Sequence, residues 1–111
     1  MSFPSENENW LIDTGHIILE KKAAIGYDAL SPIEHLIRCW WIADYGMRNG
    51  GDLETALDVD SKFLSQGLRQ ASNLALPLTK GAFEGGKDGL ELTFFDRFEE
   101  VCRELREAYG K

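Results

Sequence analysis

A chain of 111 residues holds enough for one hydrophobic core and too little for two, and its 43% hydrophobic content is that of a folded domain rather than a disordered tail. Nineteen acidic against twelve basic residues leave a formal net charge of -7. That balance argues against direct binding of nucleic acid and against an anionic membrane surface, both of which need an excess of Lys and Arg, and it favours a basic protein partner.

From Met1 to Asn9 the chain carries neither the basic nor the apolar stretch of a leader peptide, and no apolar run approaches the roughly 18 residues that span a bilayer. Cys39 and Cys102 are the only cysteines and have no metal-type spacing. Two reduced, buried thiols in a cytoplasmic protein are expected.

The first predicted helix runs from Glu6 to Ile25, with Ser5 as N-cap and Gly26 as its stop. Trp10, Thr14, Ile17, Ile18, Ala24 and Ile25 fall on one stripe, whereas Ile12 and Leu19 lie on nearly the opposite side. A helix apolar on two faces is either sandwiched within the fold or shared with a second copy, which is the sequence argument for a homodimer.

The second helix opens on Ser31-Pro32-Ile33-Glu34, a capping box with Pro at the first helical position. Ile33, Leu36, Ile37, Trp40, Ala43 and Met47 make its core stripe, and Asn49-Gly50-Gly51 ends it. Being apolar almost all round, it is expected at the centre of the fold. Asp44 lies within the apolar stripe, so it must be hydrogen-bonded or paired, with the Asn49-Gly50-Gly51 amides, a neighbouring helix or Arg48 as candidate partners. Trp41 and Tyr45, four residues apart on the flank, suit either a core margin or a binding hot spot.

Asp52 is placed to cap a short helical segment reaching Leu57, and Asp52, Glu54, Asp58 and Asp60 form the chain's densest acidic stretch, with no base between them. A third helix is expected from Ser61 to Ala75, capped by Asp60, then a turn or two from Leu78 to Phe83, a loop at Gly85–Gly89, and a fourth helix from Thr93 to Tyr109. On the fourth helix Asp96, Glu99, Glu100, Glu104 and Glu107 alternate with Arg97, Arg103 and Arg106, the pattern of a solvated, salt-bridged face that includes a Glu99–Arg103 pair. No segment alternates as a strand does. The expected fold is all-α, a single helical domain over residues 1–111, built as a compact bundle of about four main helices plus one or two short helical turns.

The candidate chemical motifs are incomplete. Gly81 to Lys87 follows a phosphate-loop pattern, but Asp88 stands where the magnesium-binding Ser or Thr belongs. Asp58 to Ser61 opens like a calcium loop, but Phe63 replaces the required Gly and Arg69 the required Glu. Asp13, His16 and Glu20 share one side of the first helix without a further ligand, and the His35–Cys39 pair lacks a third group to orient the imidazole. No catalytic residue, metal or cofactor is therefore assigned.

The run Trp40-Trp41-Ile42-Ala43-Asp44-Tyr45-Gly46-Met47-Arg48-Asn49-Gly50-Gly51 resembles an acidic helical bacterial family that includes a dimeric DNA-mimic protein. Asp44, Asn49, Gly50 and Gly51 match its pattern of a Trp-containing helix, an acid and an Asn-Gly-Gly turn, and the runs Ala75–Phe83 and Asp96–Phe98 resemble its downstream helices more faintly. The family usually has an acid closer to the turn and an aromatic after it, where this chain has Asp52. The resemblance implies an all-α acidic binding protein.

The expected function is a non-enzymatic inhibitor of the immunity-protein type, which neutralises a toxin or other protein with a basic surface. The alternatives are a DNA mimic occupying the DNA site of a regulator or nucleic-acid enzyme, and a small ligand-binding or enzymatic domain. Asp52, Glu54, Asp58, Asp60, Trp41 and Tyr45 are the candidate partner-binding residues. Asp44, Asn49, Gly50 and Gly51 are the structural turn and buried polar group.

Overall fold

The computed structural model describes residues 5–110; residues 1–4, where the leader-free reading begins, and residue 111 lie outside this description. The chain forms α1 (Glu6–Ile25), a short 3-10 turn (Tyr27–Ala29), α2 (Pro32–Gly50), α3 (Glu54–Val59), α4 (Phe63–Asn73), α5 (Pro77–Glu84) and α6 (Gly86–Tyr109). Among the described residues there is no strand, and no helix is long and apolar enough to cross a membrane. The fold is an all-α bundle.

The helix ends follow local chemistry. Ser5 accepts from the amide of Glu8 at the start of α1. At the start of α2, Ser31 Oγ accepts from the Glu34 amide at 3.3 Å while Glu34 Oε1 accepts from the Ser31 amide at 2.9 Å. Such a cap is worth about 1 kcal/mol. Lys21 of α1 donates to both Glu34 oxygens, at 2.8 and 3.0 Å, so this cap also ties two helices together. Burial alone would raise the Glu34 carboxyl, but the hydrogen bonds from Lys21 and Ser31 outweigh it and hold the group below its ordinary value. Gly51 closes α2 in the left-handed region, φ 74°.

α4 ends two residues before the expected Ala75. Leu76 donates to Ala71 at 3.0 Å and Ala75 takes φ 56°, a Schellman-type stop built on alanine where glycine is usual. Holding a non-glycine residue there costs roughly 1–2 kcal/mol. Pro77 follows and opens α5.

α2 lies at the centre, in contact with α1, α3, α4 and α6. Its Trp40 is fully buried, with ring centroids 5.9 Å from Phe83 of α5, and 4.8 and 6.3 Å from Phe94 and Phe98 of α6. Leu36, Ile37, Cys39, Ile42, Ala43 and Met47 are also buried on α2.

Three expectations are corrected. The buried face of α1 is Asn7, Leu11, Thr14, Gly15 and Ile18, while Ile17 and Ile25 are exposed and Ile12 and Leu19 half-buried. Thr14 and Ile18 of the expected stripe are buried, but the contact with Trp41 of α2 is made at Gly15, a residue with no apolar side chain to mark it. The predicted Gly85–Gly89 loop shrinks to one residue: Gly86 turns the chain at φ 66°, and α6 starts there, seven positions before Thr93. Leu90 is fully buried and Lys87 pairs with Glu91 at 2.9 Å, contacts that outweigh the poor helix propensity of the glycines. The phosphate-loop pattern is therefore the end of one helix and the start of another.

The acids of α6 are the third case. Glu99 accepts from Asn7 Nδ2 of α1 at 2.6 Å instead of pairing with Arg103. α3 and α5 have no side-chain cap of their own. Glu91 accepts from the Leu53 amide at 2.9 Å, and Glu104 accepts from the Leu78 and Thr79 amides at 3.0 and 2.8 Å. Both carboxylates thus sit at helix N-termini, where backbone donors and the helix dipole favour them.

Gly67 on α4 is a close-approach position. A Cβ there would lie 2.5 Å from Cε1 of the buried Phe83 ring. Gly67→Ala adds about 1 kcal/mol of helix propensity but forces the ring to move, which costs about 1–3 kcal/mol. The clash wins, so urea denaturation is expected to show a net loss of stability; an unchanged or raised midpoint contradicts the packing.

Candidate functional site

α1 and α2 meet where glycine faces tryptophan. A Cβ on Gly15 would fall 2.2 Å from Trp41 Cδ1, so the indole lies against the α1 backbone as no larger residue would allow. From there Trp41 stacks on Tyr45 (centroids 5.8 Å, interplanar angle 16°) and meets His16 at 6.3 Å. Together with Ile12, Asp44, Arg48 and Asn49 these side chains line an open cleft of about 280 Å³.

Its lining includes an ion pair between buried Asp44 and exposed Arg48. Arg48 Nε donates to Asp44 Oδ1 at 2.6 Å and lies 3.2 Å from Glu8 of α1. Of the candidate partners for Asp44, Arg48 is the one observed. The guanidinium also covers two α6 rings, 4.8 Å from the centroid of Phe98 and 5.3 Å from that of Phe95. One arginine therefore joins α1, α2 and α6. Burial raises the Asp44 carboxyl above its ordinary value, the hydrogen bond and charge of Arg48 offset part of this, and Glu8 raises it further.

The cleft is open, and large apolar side chains of α2 and α6 are exposed. Tyr45 is 41% exposed, Phe95 53% and, one turn before it on α6, Leu92 82%. Phe95 and Glu8 were missed in the sequence. The available signal for Phe95 was its position beside the α6 stripe of Phe94 and Phe98; nothing local marked Glu8, because its role depends on a residue forty positions away.

No family model, curated protein or solved structure matches the chain. The functional reading therefore rests on this geometry.

The acidic stretch is distributed differently from its sequence appearance. Asp52 accepts from the Glu54 amide at 3.0 Å, as a local turn. Glu54 lies 3.2 Å from Lys87 of α6, and Asp60 2.8 Å from Arg38 of α2. Burial would raise the Asp60 carboxyl, but Arg38 and the Lys62 amide hold it below its ordinary value. Asp58 is exposed and forms no ion pair among the described residues. Bases from two other helices thus partly neutralise a run that no base interrupts in sequence. Asn49 Nδ2 donates to the Tyr45 carbonyl at 2.8 Å, and a Cβ on Gly50 would meet Thr55 Oγ1 at 2.8 Å, so the turn closes tightly over α3.

Other chemical candidates do not assemble. Among the described residues no three His, Cys, Asp or Glu side chains gather as a metal group. Both cysteines are free and buried, and burial pushes each thiol up to about 12. A nucleophilic Cys39 would need the opposite shift. Its neighbour His35 is tilted against the Tyr27 ring at 4.4 Å.

Proposed function

We propose that the protein is a small, non-catalytic inhibitor of the immunity type, which neutralises a basic partner protein, such as a toxin domain, by direct binding. The carrying observation is the α1–α2 cleft, where half-buried Trp41, exposed Tyr45 and Phe95, and the pair-held Arg48 share one face. Trp, Tyr and Arg are the side chains that dominate binding energy at protein interfaces, and they do so around pockets that exclude water. Asp52 follows Gly51 just beyond the end of α2, the helix that presents Tyr45 and Asn49. Negative charge beside an aromatic centre steers a basic partner and orients it on arrival.

The test uses the full chain as bait at low salt, with Tyr45→Ala/Phe95→Ala as the paired bait, followed by calorimetry on the protein recovered. The double variant is expected to bind at least tenfold more weakly, since each hot-spot truncation costs about 2 kcal/mol or more. The association rate is expected to fall with rising salt and with charge reversal at Asp52 and Asp58. Equal retention by both baits sinks the proposal. Displacement of the partner by duplex DNA transfers the reading to mimicry, in which these carboxylates stand in for phosphates.

A further inference from the structure

The cleft combines three features that select for one kind of occupant. The first is charge. Arg48 is the one Lys or Arg among the described lining residues, and its Nε already faces two carboxylates, Asp44 at 2.6 Å and Glu8 at 3.2 Å. On the α1 rim, Asp13 and Glu20 lie one turn before and one turn after His16, exposed and without an ion pair among the described residues. The local sum is negative, so a cation is drawn in and an anion is repelled.

The second feature is a carboxylate in the lining. Asp44 is 5% exposed, and its single side-chain hydrogen bond occupies Oδ1. Oδ2 receives no donor from the described residues, and Asp44 lines the cleft. A carboxylate in a cleft lining takes a charged donor in preference to a neutral one, because charge-assisted hydrogen bonds are the stronger kind.

The third is shape. The Trp41–Tyr45 stack offers aromatic surface in the same cleft. The volume of about 280 Å³ falls just below the usual range for small-molecule pockets, roughly 300–1,000 Å³. It suits one inserted side chain better than a cofactor. A guanidinium is planar, stacks on aromatic faces and keeps N–H donors free along its edge, whereas an ammonium offers only a point charge.

Resting on the proposed docking role of this face, we infer that the cleft receives one arginine side chain of the partner, stacked against Trp41 and Tyr45 and donating to Asp44 Oδ2. Arginine is thereby the residue of the basic partner that the protein recognises, and the acids around the cleft supply steering.

The probe is an acetylated, amidated pentapeptide with one central arginine between alanines and glycines, compared with the same peptide carrying citrulline, which keeps the shape and loses the charge. Binding is read by NMR at the Trp41 indole and Arg48 side-chain N–H signals. The arginine peptide is expected to give saturable shifts in the millimolar range, with the citrulline peptide at least tenfold weaker. Asp44→Asn is expected to weaken the arginine peptide roughly tenfold or more, with the thermal midpoint retained, while Glu107→Gln has no effect. Equal shifts from citrulline, equal binding by Asp44→Asn, or no saturable shift at these signals each overturns the inference. If the peptide fails while partner binding still depends on Tyr45 and Phe95, the arginine assignment falls and the docking function stands. If the peptide binds at the cleft but partner affinity is indifferent to Tyr45 and Phe95, the docking function falls.

Discussion

Trp40→Ala is expected to remove a large share of the protein's stability. The indole is fully buried at the junction of α2, α5 and α6 and touches three phenylalanine rings. Truncating a buried aromatic to alanine costs about 3–5 kcal/mol, because the lost transfer energy adds to the cavity left behind. Domains of this size have about 5–15 kcal/mol in total, so the loss is roughly a third or more of the whole. The thermal midpoint is expected to drop by roughly 15 °C or more. Trp40→Phe should cost much less, since it keeps an aromatic ring and sheds an indole N–H that has no hydrogen-bond acceptor beyond the weak thiol of Cys102 beside it. Similar losses for the two variants, or a drop of only a few degrees for alanine, contradict the central placement of α2. Calorimetric scans of the three proteins decide it.

Arg48→Ala carries the second large effect, about 2–3 kcal/mol at neutral pH. Removing one member of a buried pair costs about 3–5 kcal/mol, and the one-third exposure of the Arg48 side chain discounts that figure. Asp44 and Glu8 then lose their shared cation, and Phe95 and Phe98 lose their cover. The pH dependence follows from Asp44. Its folded-state pKa is already raised by burial, and loss of Arg48 raises it further. A group whose folded pKa exceeds its unfolded one contributes stability below the unfolded value, and that contribution disappears as pH rises through the folded value. The deficit of Arg48→Ala relative to the parent is therefore expected to shrink from neutral pH down to about pH 4, as Asp44 takes up its proton. Adding Asp44→Asn should restore much of the loss, and Asp44→Asn alone should stay within about 1 kcal/mol of the parent. Denaturant curves for this double-mutant cycle at two pH values provide the measurement. A deficit that grows on acidification contradicts the assigned environment of Asp44.

These two residues also show where sequence reading succeeds. Trp40 was legible as core because it repeats at helical spacing with Leu36, Ile37 and Ala43, and the capping box at Ser31 set the phase of that helix. Asp44 was legible as a buried acid in need of a partner for the same reason, and Arg48 stood one turn away. The cleft was only half legible. Trp41 and Tyr45 lie on one helix and could be paired from spacing, but His16, Glu8 and Phe95 come from two other helices.

The acidic residues show the other side. Asp52, Glu54, Asp58 and Asp60 read as one uninterrupted patch, because their neutralising bases, Lys87 and Arg38, are remote in sequence. Likewise Glu99 and Glu104 read as solvated, yet they tie α6 to α1 and to the start of α5. Helix identity, most helix ends and the central place of α2 were determined by the chain itself, since caps, glycine stops and apolar periodicity act within a turn or two. The start of α6 at Gly86, the buried face of α1 and the partner of each exposed charge were decided only by the tertiary structure. Burial of Leu90 overrides glycine propensity, Trp41 requires the bare backbone of Gly15, and an ion pair depends on distance in space, which composition does not encode.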